Sequence, residues 1–194
     1  KLTLAEFKVV QKHVLHSVEI MSNTSGVSPA AIEIAHTHHE RNNGSGYPRK
    51  LADKEIPVFG KLAAIIDCYD AMTSERVYRP AISSHKALRK LYARRDQEFQ
   101  TVLVEQFIQC LGVYPVGSLV ELSSGEVGVV LSQNRVRRLR PKIMVILDKN
   151  KKPTKSAPII DLMVELTDSS GNPLDIKEVV EPAVYGIDPK EFFL

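Results

Sequence analysis

The chain has 194 residues, 43% hydrophobic and 25% charged, with a formal net charge of +3, the profile of a globular protein rather than a disordered or fibrous one. No apolar run approaches the roughly 20 residues that a membrane-spanning helix requires, and no basic-then-apolar leader opens the chain, so a cytoplasmic protein without a membrane segment is expected. The net charge is too small to argue for nucleic acid by itself. Cys68 and Cys110 lie far apart without Cys-x-x-Cys spacing, and buried reduced thiols are expected of both.

Thr3 and Glu6 form a capping box, in which hydroxyl and carboxylate satisfy free amide donors at a helix start. Phe7, Val10, Val14, Val18 and Met21 follow at three- and four-residue spacing, which predicts an amphipathic helix over 4–21. His13 sits beside that stripe and His16 points elsewhere. Ser22–Gly26 is a loop. Ser28-Pro29 is an N-cap followed by proline at the first helical position, so the next helix carries His36, His38 and His39 in its last turn or just past it. Residues 41–56 are irregular. Pro57 opens a helix whose predicted buried stripe is Phe59, Leu62, Ala63, Ile66 and Tyr69, with Asp67 and Asp70 three apart near its end.

Residues 74–82 read as a loop, and helices are predicted over about 85–95 and 98–111, the last ending at Gly112. Beyond Tyr114-Pro115-Val116-Gly117 the periodicity becomes alternating. Ser118–Leu122 and Val127–Leu131 flank a Ser-Ser-Gly-Glu turn, a hairpin signal. Lys142–Leu147, 159–166 and 178–185 are further predicted strands. All 6 histidines lie at or before His85, so the chemistry falls in the first part. The fold class expected is α+β in two domains: an all-α domain of about five helices over 1–112, then a small β-barrel-like or half-open β domain over 113–194.

The chemistry concentrates in His36-Thr37-His38-His39-Glu40-Arg41-Asn42-Asn43-Gly44-Ser45-Gly46-Tyr47-Pro48 and in Asp67-Cys68-Tyr69-Asp70. Imidazole and carboxylate without thiolate suit a catalytic rather than a structural metal. On a helix, adjacent side chains diverge by about 100°, so His38 and His39 are expected to serve two neighbouring metals rather than one. The competing bland reading, histidines that merely complement a helix C-terminus, does not account for the Gly-x-Gly-Tyr-Pro turn or for the paired aspartates.

The run His38-His39-Glu40-Arg41-x-x-Gly44-x-Gly46-Tyr47-Pro48, with Ile56-Pro57 and Asp67-x-x-Asp70-Ala71-Met72-Thr73-Ser74-x-Arg76-x-Tyr78-Arg79, resembles the HD-GYP family, metal-dependent phosphodiesterases that hydrolyse the bacterial second messenger cyclic di-GMP. The resemblance covers residues 1–112 and includes the His13 segment. Residues 113–194 resemble a C-terminal β extension found on some members. What it implies is a site in which His13, His38, His39 and Asp67 ligate two or three divalent transition metals, iron or manganese. Asp67 and Asp70 would be catalytic, and Gly44, Gly46, Tyr47, Pro48, Arg76 and Arg79 would bind substrate, the arginines through the bidentate geometry of guanidinium. The products implied are linear pGpG and/or GMP.

The sequence departs from that pattern in two places. It contains no His-Asp dipeptide, which the resemblance places upstream of Lys1, so a fragment of a longer enzyme is expected. Asn43 stands where the family usually has aspartate, which keeps hydrogen bonding but loses charge. These departures leave a second reading: a non-catalytic module that binds cyclic di-GMP or docks GGDEF-domain proteins through the Gly-Tyr-Pro loop. A third, a nucleic-acid-binding β domain, rests on Arg135-x-Arg137-Arg138-x-Arg140-x-Lys142 alone. A charged edge strand that resists sheet-to-sheet pairing accounts for that run better.

Overall fold

The computed structural model describes residues 2–76 and 80–192. It is an α+β structure with two compact units, one comprising the chain up to Ile82 together with Ala87–Phe107, the other Ser83–Lys86 with Ile108–Leu194. No helix among the described residues is long and apolar enough to cross a membrane.

The helical elements are α1 (Leu4–Gln11), α2 (His13–Ser22), α3 (Pro29–Thr37), α4 (Val58–Thr73), α5 (Ser84–Ala93) and α6 (Thr101–Leu111). The expected capping box is present, with the Glu6 carboxylate accepting from the Thr3 amide at 2.7 Å. The single helix expected over 4–21 is interrupted at Lys12, whose amide bonds three residues back to the Val9 carbonyl at 3.1 Å. Of its stripe only Val14 is fully buried, and Phe7 and Val10 are exposed. Ser28 caps α3 as expected, its hydroxyl accepting from the Ala31 amide at 3.2 Å.

The buried face of α4 differs from the expected one. Gly60, Ala64, Ile65, Cys68 and Met72 point inward, whereas Phe59 and Ile66 are 59% and 53% exposed. The cause is close approach of α3: a Cβ on Gly60 would lie 2.2 Å from the Thr37 hydroxyl oxygen. Small residues set how near the two backbones come, and an almost wholly apolar helix offers more than one stripe at helical spacing. Cys110, expected to be buried, is exposed on α6.

The second unit is an antiparallel sheet of β1 (Leu119–Leu122), β2 (Val127–Ser132), β3 (Lys142–Leu147), β4 (Ile159–Asp161) and β5 (Ile176–Val180), in the order β4-β3-β2-β1-β5. The predicted hairpin forms between β1 and β2, with Gly125 at φ +97° in its turn. Successive residues feed opposite faces, as strand geometry requires. Leu119 and Val129 join one cluster, covered by Tyr185, Ile187 and Phe192, while Val120 and Val130 join another with Leu162 and Leu174.

The later strands are shorter than predicted. β4 stops at Asp161, whose carboxylate accepts from the Met163 amide at 3.0 Å and turns the chain. β5 stops at Val180, ahead of a short 3-10 turn that opens at Pro182, which lacks an amide donor. The basic run is not an edge strand either. Residues 133–141 are the loop between two interior strands, β2 and β3. There Asn134 caps the Val136 and Arg137 amides, while Arg140 turns inward to the Leu162 carbonyl at 3.0 Å and Asp175 at 2.9 Å.

Glu121, on β1, is held by Lys177 at 2.9 Å and Lys151 at 3.0 Å. These lysines, Lys177 foremost, keep its carboxyl below the usual carboxylate range. A depressed folded-state pKa contributes stability above the unfolded value, about 4.3, and that contribution disappears as pH falls through the folded value. Denaturant titrations followed by circular dichroism between pH 7 and pH 3 should therefore show Glu121→Gln less stable than the parent at neutral pH. The gap should close toward the acid end, and a gap constant with pH would refute the assignment.

Candidate metal centre

The histidines are gathered by where the helices end. α3 stops at Thr37, and His38 occupies its C-cap with its amide bonded to the Ile34 carbonyl at 3.0 Å. The chain turns there, so the two rings do not diverge as they would on a continuous helix. His38 and His39 lie 4.1 Å apart by centroid, tilted by 40°. His13, at the start of α2, meets both: its Nε2 is 3.4 Å from Nε2 of His38 and 3.1 Å from Nε2 of His39. The divergence expected of two adjacent helical side chains is therefore absent here.

The other ring nitrogens explain what this apex can do. His13 Nδ1 is 2.7 Å from the Val10 carbonyl and His38 Nδ1 is 2.8 Å from the Ala35 carbonyl. A carbonyl can only accept, so each Nδ1 carries a proton, and in the neutral ring that leaves Nε2 with a lone pair. Lone pairs facing one another at these distances repel unless a cation lies between them. Nitrogens bound at 2.0–2.1 Å to one tetrahedral metal are about 3.3 Å apart, so the donor set fits a metal ion. His39 Nδ1 faces Asp67 Oδ2 at 3.5 Å, the arrangement in which a carboxylate orients a ligating imidazole. Asp67 therefore lies against the far nitrogen of His39 and outside the group of three Nε2 atoms. Burial pushes the His39 pKa down to about 3, with His38, His13, Arg41 and Arg76 adding to it. The ring is neutral and ready to donate its lone pair.

The loop after the histidines is built around Glu40. This side chain is 1% exposed, and its carboxylate accepts from the Arg49 amide at 2.8 Å and the Leu51 amide at 3.0 Å. It is a structural anchor, so the glutamate of the histidine run is committed to backbone. Between those points Gly46 passes so close that a Cβ would lie 2.5 Å from Glu40 Cα. Gly44 takes φ +74°, a region favourable to glycine. Tyr47, joined to Pro48 by a cis peptide bond, stacks on His39 at 4.6 Å and meets Phe7 edge-on at 6.0 Å. Burial, then Asp67, pushes its phenol up to about 12. Asn43 Oδ1 accepts from the Ser45 amide at 3.0 Å and hydroxyl at 2.6 Å, holding the turn.

The remaining expected residues sit at the end of α4. Asp70 accepts from the Ser74 hydroxyl at 3.1 Å and faces Arg76 at 3.8 Å. Arg79 lies outside the described residues. A cavity of about 700 Å³ adjoins the histidines, lined among others by His39, Tyr47, Asp67, Arg41, Lys90 and Arg94. The last two escaped the sequence reading, because basic residues on an amphipathic helix such as α5 look like any solvated face. Their i,i+4 spacing was the one available signal.

Glu40→Gln should destabilise the protein by about 1–3 kcal/mol, because the amide turns a donor toward a backbone amide that needs an acceptor. Urea unfolding monitored by circular dichroism measures it, and an unchanged midpoint would remove Glu40 from this role.

Comparison with known proteins agrees with the geometry. A family model described as HD domain matches residues 1–101, and one described as KOW domain associated with HD domain matches residues 119–179. The chain is 34% identical over 162 residues to a cyclic di-GMP phosphodiesterase of Pseudomonas aeruginosa, covering 84% of this chain and 39% of that protein. It is 40% identical over 114 residues to a cyclic di-GMP phosphodiesterase of Vibrio cholerae, covering 56% and 23% respectively. A 3'3'-cGAMP-specific phosphodiesterase of the same organism is 36% identical over 110 residues, covering 56% and 21%. The chain thus spans well under half the length of these relatives. HD domains are metal-dependent hydrolases, and this chain, with its histidine cluster and Gly-Tyr-Pro loop, belongs to that family in its HD-GYP branch.

Proposed function

We propose that the protein carrying this chain is a cytoplasmic metal-dependent phosphodiesterase of bacterial signalling that opens cyclic di-GMP to linear pGpG and then GMP. The convergence of three imidazole Nε2 atoms beside a cavity that also carries cationic side chains supports this reading above all. Residues 1–112 would form the catalytic domain and 113–194 a separate β domain. The names of the relatives add the substrate class.

In this reading His13, His38 and His39 hold a divalent iron or manganese ion, with Asp67 available to a second ion. Bound metal supplies Lewis acidity to the phosphodiester and lowers the pKa of the attacking water. The chain's own groups prepare that chemistry. Burial keeps His39 neutral, Asp67 sets its ring, and Tyr47 packs on its face and closes one wall of the cavity. Asp70 steadies Arg76, which together with Arg79 would meet the phosphates or guanines of the substrate. Asn43 supplies the acceptor that its turn needs.

Purified full-length protein should retain iron or manganese and hydrolyse cyclic di-GMP, and a chelator should abolish turnover until metal is restored. His38→Ala and His39→Ala should each lower kcat/KM by at least about a hundredfold, the loss typical when metal positioning fails. A protein that retains no such metal and leaves cyclic di-GMP intact would refute the proposal. Preferential turnover of 3'3'-cGAMP would reassign the base specificity and leave the hydrolytic reading in place.

A further inference from the structure

The charge lining the cavity is unbalanced. Asp67 is the one carboxylate among its described lining residues, against Arg41, Lys90 and Arg94. Two of these cations are already engaged elsewhere. Arg94 makes a bidentate pair with Glu98, its Nε 2.7 Å from the carboxylate, and Arg41 Nε approaches the same carboxylate at 3.6 Å. Both guanidinium groups also lie over the Phe99 ring, at 5.1 and 5.3 Å. They form a fixed wall whose charge Glu98 partly cancels.

Lys90 differs from them. It stands near the end of α5, four residues before Arg94, on a helix held by the buried Ala87, Leu88 and Leu91, and no ion pair engages it among the described residues. An ammonium on a long flexible stem, facing a cavity with one carboxylate, is a site for an anion. A cyclic dinucleotide carries two phosphodiesters separated by the sugars of its ring. The histidine centre can act on only one at a time, so a cation elsewhere on the cavity wall can hold the other.

We propose that Lys90 anchors a second anion subsite, which takes the phosphodiester that is not being cleaved. The proposal rests on the phosphodiesterase reading above. Lys90 then acts in binding and register rather than in chemistry. A substrate with a single phosphodiester makes no use of it, whereas a dinucleotide is drawn in and aligned by it. The linear product, with its terminal phosphate, uses the same contact while the second bond moves to the metal centre.

Steady-state kinetics of the full-length holoprotein with cyclic di-GMP and with bis(p-nitrophenyl) phosphate, which has one phosphodiester, test this. Lys90→Gln should raise KM for cyclic di-GMP about tenfold, the loss of one charge-assisted contact. It should leave kcat and the turnover of bis(p-nitrophenyl) phosphate unchanged, and Lys90→Arg should recover most of the affinity. An unchanged KM would make Lys90 a solvated surface residue and overturn the proposal. An equal loss on both substrates would reveal a structural disturbance and overturn it too. If the parent cleaves bis(p-nitrophenyl) phosphate but not cyclic di-GMP, the function proposed above fails. The subsite is then read from inhibition by tripolyphosphate: a Ki raised by Lys90→Gln keeps it and an unchanged Ki discards it.

Discussion

The Glu40 carboxylate, sealed from solvent and shared between the Arg49 and Leu51 amides, is what the geometry of the histidine cluster depends on. A buried charge is tolerated only when hydrogen bonds replace its water, and here the replacements come from the far end of the loop that Glu40 begins. Once that loop is closed, Gly46 lies against the backbone of residues 39–41 and the Tyr47 ring rests on His39. His39 is then confined between an aromatic face and the Asp67 carboxylate. The chain thus fixes the His39 imidazole indirectly, through a carboxylate that is committed to backbone amides.

The same economy of proton placement governs the three nitrogens. Two of the imidazoles donate from Nδ1 to carbonyls three residues earlier, Val10 in the last turn of α1 and Ala35 in the last turn of α3. The last turns of α1 and α3 thereby aim the His13 and His38 rings, and the apex arises where the start of α2 meets the end of α3. Three unprotonated nitrogens at contact distance are unfavourable alone and favourable around a cation, so a metal bound there would link its affinity to local folding. The interruption at Lys12 belongs to this design, since it falls immediately before His13.

Much of this was legible in the residues, and the part that was not has physical causes. Caps, helix starts and the β1–β2 hairpin depend on contacts a few residues apart, and Thr3, Ser28 and Gly125 announced them. Convergence of His38 and His39 was missed because helical spacing was applied one residue beyond the point where the helix stops. The inward face of α4 was misread because Phe59 and Ile66 are as apolar as Ala64 and Ile65, and only the proximity of Thr37 to Gly60 decides between them. Arg140 was grouped with its basic neighbours, although its partners, Leu162 and Asp175, are distant in sequence. Single residues whose partners lie far along the chain are the ones a sequence reading assigns worst.

Asn43 brings these threads together. Judged by charge, an amide in place of a carboxylate looks like a loss of catalytic function. Its oxygen, however, is occupied by the Ser45 amide and hydroxyl, within the turn that leads into Gly46. What the position contributes to the loop is an acceptor, and asparagine offers one as well as aspartate does. Neighbouring residues supply the electrostatics instead: Asp67 behind His39, and the Arg41, Lys90 and Arg94 cations around the cavity. A carboxylate at 43 would sit in a solvent-facing turn, where its charge is screened and its hydrogen bonds are unchanged. Position 43 therefore bears on the shape of the loop before it bears on the charge of the site.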